Sequence, residues 1–135
     1  MAQRAFTLGD LTRRNAELRR DHPAVIFEGR TLTHGEFAKK ACRVVSALRA
    51  RGVKKGDRVA ILARNSLEYM EAYAAGEIAG WITVTINFRL APAEIDYILS
   101  DSSPRALIVD AELLDRMSDV ARKLVGDIVT FGGAT

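Results

Sequence analysis

Apolar positions recur along the chain in two rhythms: stripes spaced three and four residues apart, and short continuous runs of four or five. The first marks helices with one face turned inward, the second strands covered on both faces. Residues 8–20 read as a short, polar, peripheral helix with Asp10 as its N-cap, ended before His22 and Pro23. Residues 24–27 and 30–32, joined by Glu28 and Gly29, read as a small hairpin. Thr33 and Glu36 then stand at capping-box spacing and open a helix that carries Phe37, Ala41, Val44, Val45 and Leu48 on one face. Gly52 is placed to end that helix in a left-handed conformation.

The run 59–63 is apolar throughout and predicts a strand buried on both faces. Asn65 or Ser66 caps the next helix, 67–79, where Ala74, Ala75, Gly76, Ala79 and Gly80 lack bulk. Glycine in a helix interior costs about 1 kcal/mol against alanine, so Gly76 predicts a close backbone approach. A strand at 81–86 and a loop at 87–91 follow, then Pro92 in the first turn of a helix with Ile95, Ile98 and Leu99 inward. Ser102, Ser103 and Pro104 stop it. A strand at 106–109, an amphipathic helix at 111–124 and a strand at 128–131 complete the pattern. Strand and helix alternate with short connections, which predicts an α/β fold: a mainly parallel sheet of four strands with helices on both faces, a Rossmann-like three-layer arrangement, plus the early hairpin.

Composition narrows this further. The 135 residues include 20 basic and 17 acidic side chains, a net charge of +3, with 48% hydrophobic residues, which excludes disorder and low complexity. The charge is unevenly spread: residues 1–64 hold 15 basic and 6 acidic side chains, residues 65–135 hold 5 and 11, so the two halves are expected to attract each other. Lys39, Lys40, Arg43, Arg49, Arg51, Lys54 and Lys55 are not interleaved with aromatics able to stack bases, and they read as a solvated face rather than a nucleic-acid surface. The single cysteine, Cys42, allows no internal disulfide; burial beside the inward stripe is the expectation, with a thiolate activated by Lys39, Lys40 and Arg43 as the alternative. No apolar run approaches the roughly 18 residues of a membrane span, and the first ten residues lack a secretory apolar core, so a cytoplasmic protein is expected.

Chemistry is sparse. The ten glycines never fall into the dinucleotide-binding spacing, residues 52–56 lack the lysine and hydroxyl of a phosphate loop, and no serine sits in a nucleophile elbow. His22 and His34 lie beside turn or cap residues and read as surface histidines. Only Asp110 among the acids follows a strand, which leaves a phosphoacceptor site without support. Tyr69, Tyr73, Trp81 and Phe88 are either an aromatic ligand wall or, more simply, core.

Three ordered stretches carry a resemblance. Leu32, Thr33, Glu36 and Phe37 form the first; Gly56, Asp57, Arg58, Val59 and Ala60 with Asn65, Ser66, Glu68 and Tyr69 form the second. The third runs from Ala79 and Gly80 through Ile86, Asn87, Arg89 and Leu90 to Pro92, Glu94 and Ile95. Together they resemble the amino-terminal segment of adenylate-forming, AMP-binding enzymes, particularly AMP-forming acyl-CoA synthetases and fatty-acid CoA ligases. Asn87, followed by Arg89 and Leu90, is similar to acyl-CoA ligases more than to peptide-synthetase adenylation domains. Thr85 departs from the family's proline and Ala91 from its hydroxyl cap, the latter expected to weaken its helix by about 1 kcal/mol.

The resemblance implies that residues 1–135 are one incomplete amino-terminal α/β subdomain of a longer ligase. That ligase would convert a carboxylate, ATP and coenzyme A to acyl-CoA, AMP and pyrophosphate, using Mg2+. It implies too that the phosphate loop, the magnesium glutamate, the ribose-binding aspartate and the catalytic lysine lie outside this segment. No residue is therefore assigned a catalytic, cofactor-binding or metal role, and Thr33, Glu36, Asn87 and Arg89 are read as structural motif positions. The segment alone is expected to be inactive and to bind none of those cofactors. Its expected partners are the remainder of the ligase chain and, through uncovered apolar surface near Trp81, Ile82 and residues 128–131, other copies of itself. The alternative is a free-standing, non-catalytic α/β interaction module.

Overall fold

The computed structural model describes residues 6–132. The elements run α1 (Leu8–Leu18), β1 (Pro23–Phe27), β2 (Arg30–Thr33), α2 (His34–Ala50), β3 (Arg58–Leu62) and α3 (Leu67–Ala79). Then come β4 (Ile82–Ile86), α4 (Pro92–Ser102), β5 (Ala106–Asp110), a 3-10 segment Ala111–Arg116, α5 (Asp119–Leu124) and β6 (Asp127–Phe131). β1 and β2 form the expected antiparallel hairpin, and the other four strands form one parallel sheet in the order β4-β3-β5-β6.

That order follows from the apolar runs. Side chains of a strand alternate between faces, so a strand buried on both must meet two separate cores. Val59, Ile61 and Ala63 enter one core with Val45 and Leu48 of α2 and Ala72, Ala75 and Ala79 of α3. Ala60 and Leu62 enter the other with Ile95 and Leu99 of α4, Leu107 and Val109 of β5, and Ala121 of α5. The connection from β3 to β4 runs one way along the sheet and that from β4 to β5 returns past β3. Right-handed crossovers therefore place α3 and α4 on opposite faces.

The small residues of α3 have the packing role their size predicts. A Cβ on Gly76 would overlap Oγ1 of Thr83, so the close neighbour is a β4 side chain rather than the backbone expected from sequence. Backbone does approach at Gly9 of α1, where a Cβ would lie 2.5 Å from the carbonyl oxygen of Glu77 and 2.8 Å from Cα of Ile78. The hairpin, α2 and α3 are tied by charge as well: Arg30 pairs with Glu68 at 3.8 Å and Lys40 with Glu71 at 2.9 Å. Both pairs join the basic half of the sequence to the acidic half, as does Arg64 with Glu112.

Four expectations are corrected. Thr7, not Asp10, is the N-cap of α1; Asp10 is its capping-box partner three residues on, returning a carboxylate to the Thr7 amide at 3.1 Å. The helix expected over 111–124 breaks at Met117, whose buried side chain needs an extended backbone, and Ser118 caps a new helix through the Ala121 amide. Cys42 is exposed, because Ala41 and Val45 take the inward positions and Cys42 lies about 100° round the helix from Ala41. Trp81 is buried in the α2–α3 core and offers no surface for association, whereas Ile82 beside it is 53% exposed.

Candidate functional site

In an open parallel sheet, loops leave the carboxyl ends of the strands, and a crevice opens where neighbouring strands send their loops to opposite faces. Here that divergence lies around β3, whose chain rises into α3 while β4 and β5 lead to the other face. Two features occupy these ends.

The first is a cleft of about 300 Å³ over β3 and β4, lined by Ala63, Asn65, Tyr69, Thr85, Ile86, Asn87 and Phe88. Local chemistry shapes each wall. Ser66 accepts a hydrogen bond from the Tyr69 amide at 3.0 Å, which starts α3 and sets Tyr69 over the sheet, so of the two cap candidates Ser66 is the one used. Burial pushes the Tyr69 hydroxyl pKa up, with the neighbouring Tyr73 adding to it. On the opposite wall Asn87 Oδ1 accepts from the Arg89 amide at 3.0 Å, and its carbonyl accepts from the Leu90 amide at 3.2 Å. These bonds fold the loop into an Asx turn, with the Arg89 guanidinium 5.4 Å from the Phe88 ring centroid. The loop delivers the chain to Pro92. Ala91 supplies no side-chain cap, yet Glu94 still accepts from the Ala91 amide at 2.8 Å, keeping half of the capping box.

The second feature spans β3 and β5. Leu62 pairs with Val109, so the chain leaves β3 and β5 at neighbouring points, with Arg64 two residues and Asp110 one residue past the pair. Arg64 contacts Glu112 at 2.5 Å and Asp110 at 4.0 Å, and Asp110 also accepts from the Glu112 amide at 3.1 Å. The hydrogen bond to Glu112 holds the Arg64 pKa above its ordinary value. These contacts bridge the ends of β3 and β5. Sequence reasoning singled out Asp110 but not Arg64 or Glu112. The readable signal was a charged residue just past the end of each of two apolar runs.

Of the four motif positions, Asn87 and Arg89 lie at or beside the cleft, while Thr33 and Glu36 line a separate hollow with Arg20 and Lys39. Thr33 and Glu36 form the predicted capping box: the Thr33 amide donates to Glu36 at 2.9 Å and the Glu36 amide to Thr33 Oγ1 at 3.3 Å. The Thr33 amide and then its hydroxyl lower the Glu36 pKa. A depressed folded value means that the stability from this carboxylate is full above its ordinary pKa of 4.5 and fades as the pH falls through the folded value. Glu36→Gln keeps a neutral capping partner, so the gap in melting temperature between the parent chain and the variant is expected to shrink or invert as the pH drops below 4.5. A gap independent of pH would show that the carboxylate contributes no charge-dependent stability.

The aromatic residues divide. Tyr69 and Phe88 face the cleft, Tyr73 is half exposed on α3, and Trp81 is core. Side-chain amides, one phenol and an aromatic face can hydrogen-bond and stack a ligand, but they supply no nucleophile paired with a base. Among the described residues there is no cluster of three histidine, cysteine or acidic side chains that could hold a metal. Asp110 accepts from a backbone amide and lies 4.0 Å from Arg64, so it is not an open carboxylate for a magnesium ion.

This arrangement has relatives. The family model described as AMP-binding enzyme matches residues 12–132. The chain is 36% identical over 104 residues to the 3-hydroxybenzoate-CoA ligase of Aromatoleum sp. (strain CIB), covering 77% of this chain and 20% of that protein. It is 38% identical over 106 residues to the fatty acid-[acyl-carrier-protein] ligase ScoC of Streptomyces coeruleorubidus, covering 78% and 20%. The solved anthranilate CoA ligase AuaEII, in complex with anthranoyl-AMP, superposes with a TM-score of 0.85 at 30% identity, over 93% of this chain and 25% of that one. The chain thus spans about a fifth of the length of the curated relatives it matches. With a family match over nearly all the described residues, and its motifs at the cap of α2 and the rim of the β3–β4 cleft, the chain belongs to the AMP-binding enzyme family.

Proposed function

We propose that this chain supplies the amino-terminal scaffold of an AMP-forming acyl-CoA ligase, which joins a carboxylate to coenzyme A at the expense of ATP, in the cytoplasm. The observation that carries this reading is the Asn87 turn. It fixes one rim of a cleft at the carboxyl end of the sheet, within a sequence matched to the family from residue 12 to residue 132. On this reading the chain positions strands and loops, and residues elsewhere in the ligase perform acyl transfer to AMP and then to the thiol. ATP supplies the leaving pyrophosphate, and Mg2+ would neutralise its charge. The described residues do not fit either group, so their part is to support the cleft wall.

Two expected results follow. The purified chain is expected to catalyse no carboxylate-dependent exchange of pyrophosphate into ATP, because preorganised cations must stabilise the transferring phosphate and no described cation lines the β3–β4 cleft. Residues 12–132, exchanged for the matching segment of the 3-hydroxybenzoate-CoA ligase, leave a chimera that still adenylates. Exchange by the chain alone, or a folded chimera without activity, overturns the scaffold reading.

A third result concerns association. α2 and α3 cover β3, yet beside them a groove of about 280 Å³ lined by Val44, Ala72, Ile108, Val129 and Phe131 stays open. β4 and β6 are the sheet edges. In a complete ligase the rest of the chain covers such surface; alone, it favours pairing with another copy. The purified chain is expected to form a dimer or larger species at micromolar concentration. A monomer in light scattering after size exclusion, with no binding of an apolar dye, would instead favour a self-sufficient module.

A further inference from the structure

The helix α1 is built the wrong way round for a core helix. It segregates apolar from polar positions more sharply than α2, α3 or α4, yet its one buried residue is Gly9, and its half-buried ones are Asp10, Thr12, Asn15 and Ala16. The leucines point outward: Leu8 is 62% exposed, Leu11 41% and Leu18 69%, with Phe6 just ahead at 66%. At about 100° per residue, Leu8, Leu11, Asn15 and Leu18 share an arc of roughly 80°. Arg14 and Arg19 fall just outside this arc on opposite sides, while Asp10 and Glu17 lie about 120° or more from its middle. Neither Arg14 nor Arg19 has an ion-pair partner among the described residues. Together with Asn15, Leu18 and His34 they line a shallow hollow of about 360 Å³ at the end of the stripe.

We propose that α1 is a membrane-surface contact that lies along an anionic lipid leaflet, with Leu8, Leu11 and Leu18 among the upper acyl chains and Arg14 and Arg19 against the lipid phosphates. An apolar stripe flanked by cations, in a helix of low overall hydrophobicity, is the pattern that interfacial helices use. An acidic protein segment would satisfy the arginines but leave the leucines in water. A neutral bilayer would take the leucines but offer no net negative charge to the arginines. The three leucines form too small a stripe to anchor the chain alone, so binding requires the negative surface potential and weakens with salt. Among the described residues no helix is long and apolar enough to cross a membrane, so the contact is peripheral.

The test is flotation of the purified chain with vesicles of phosphatidylcholine, alone or with roughly a third phosphatidylglycerol. Binding to the anionic vesicles is expected to exceed that to neutral ones by about tenfold or more, and to fall by a similar factor in Leu11→Gln/Leu18→Gln and in Arg14→Gln/Arg19→Gln. All four side chains are exposed, so both variants should melt with the parent chain, and circular dichroism checks this. No binding to anionic vesicles overturns the proposal, as does binding that survives either double substitution in a folded variant. Equal binding to soluble polyglutamate, lost with the arginines but not the leucines, overturns it in favour of an acidic protein partner. Vesicle binding that needs both residue types establishes it.

Discussion

Leu107→Ala is expected to lower the unfolding free energy by about 2–5 kcal/mol, enough to unfold much of the population of a domain of ordinary stability. Leu107 sits in β5, fully buried, with β3 on one side and β6 on the other. Its side chain belongs to the core formed by Leu62, Ile95, Leu99 and Ala121. Truncation removes three carbons and leaves a void whose walls are hydrogen-bonded strands and capped helices, which cannot collapse into it. Leu124→Ala, in a helix of the same layer but at a side chain that is 51% exposed, is the control and should change stability by about 0.5 kcal/mol or less. Urea denaturation of the two variants checks this. Equal midpoints would mean that β5 is not the centre of a packed core.

The second large effect lies between α2 and α3. Glu71 is the one charged residue among the buried side chains described, and Lys40 reaches it at 2.9 Å from the neighbouring helix. Lys40→Met would strip the cation and leave the buried carboxylate of Glu71 without this partner, at a cost of about 1–3 kcal/mol. The lysine is partly solvated, so the cost falls below that of a fully buried pair. Adding Glu71→Leu removes the stranded charge, and the double variant should recover most of the loss, since an apolar pair can replace a desolvated ion pair. A double-mutant cycle measured by thermal or urea unfolding decides it. Additive losses would show that the two groups do not interact.

Much of the architecture was legible before any coordinates. The apolar run 59–63 suits a strand with two cores, because it is only five residues long and follows the turn residues 54–57. Thr33 with Glu36, Asn65 or Ser66, Pro92 and Gly52 marked helix ends by chemistry that acts within three or four residues, and the structure uses Thr33 with Glu36, Ser66, Pro92 and Gly52 there. The family resemblance rested on such local signals, which is why the motif residues prove to be caps and turns.

Apart from the cap of α1, where Thr7 and Asp10 stand only three residues apart, the misreadings involve partners distant in sequence. The rhythm of 111–124 is helical, but burying Met117 and bonding Asp96 to the Ser118 amide at 3.1 Å break the helix. Cys42 looked like core because it lies next to the inward stripe, and only the packing of α2 on α3 fixes which arc is covered. Likewise, nothing local tells that Arg64 will meet Glu112, or that the leucines of α1 will face out because Gly9 and Ala16 are the residues small enough to face in. Sequence alone determined most of the elements, the capping box of α2 and the alternation of strand and helix, since these depend on side-chain periodicity and neighbours a few residues away. Tertiary structure alone decided the strand order, the Arg64 clamp over β3 and β5 and the outward stripe of α1, since those depend on which surfaces fit closely once the chain has folded back on itself.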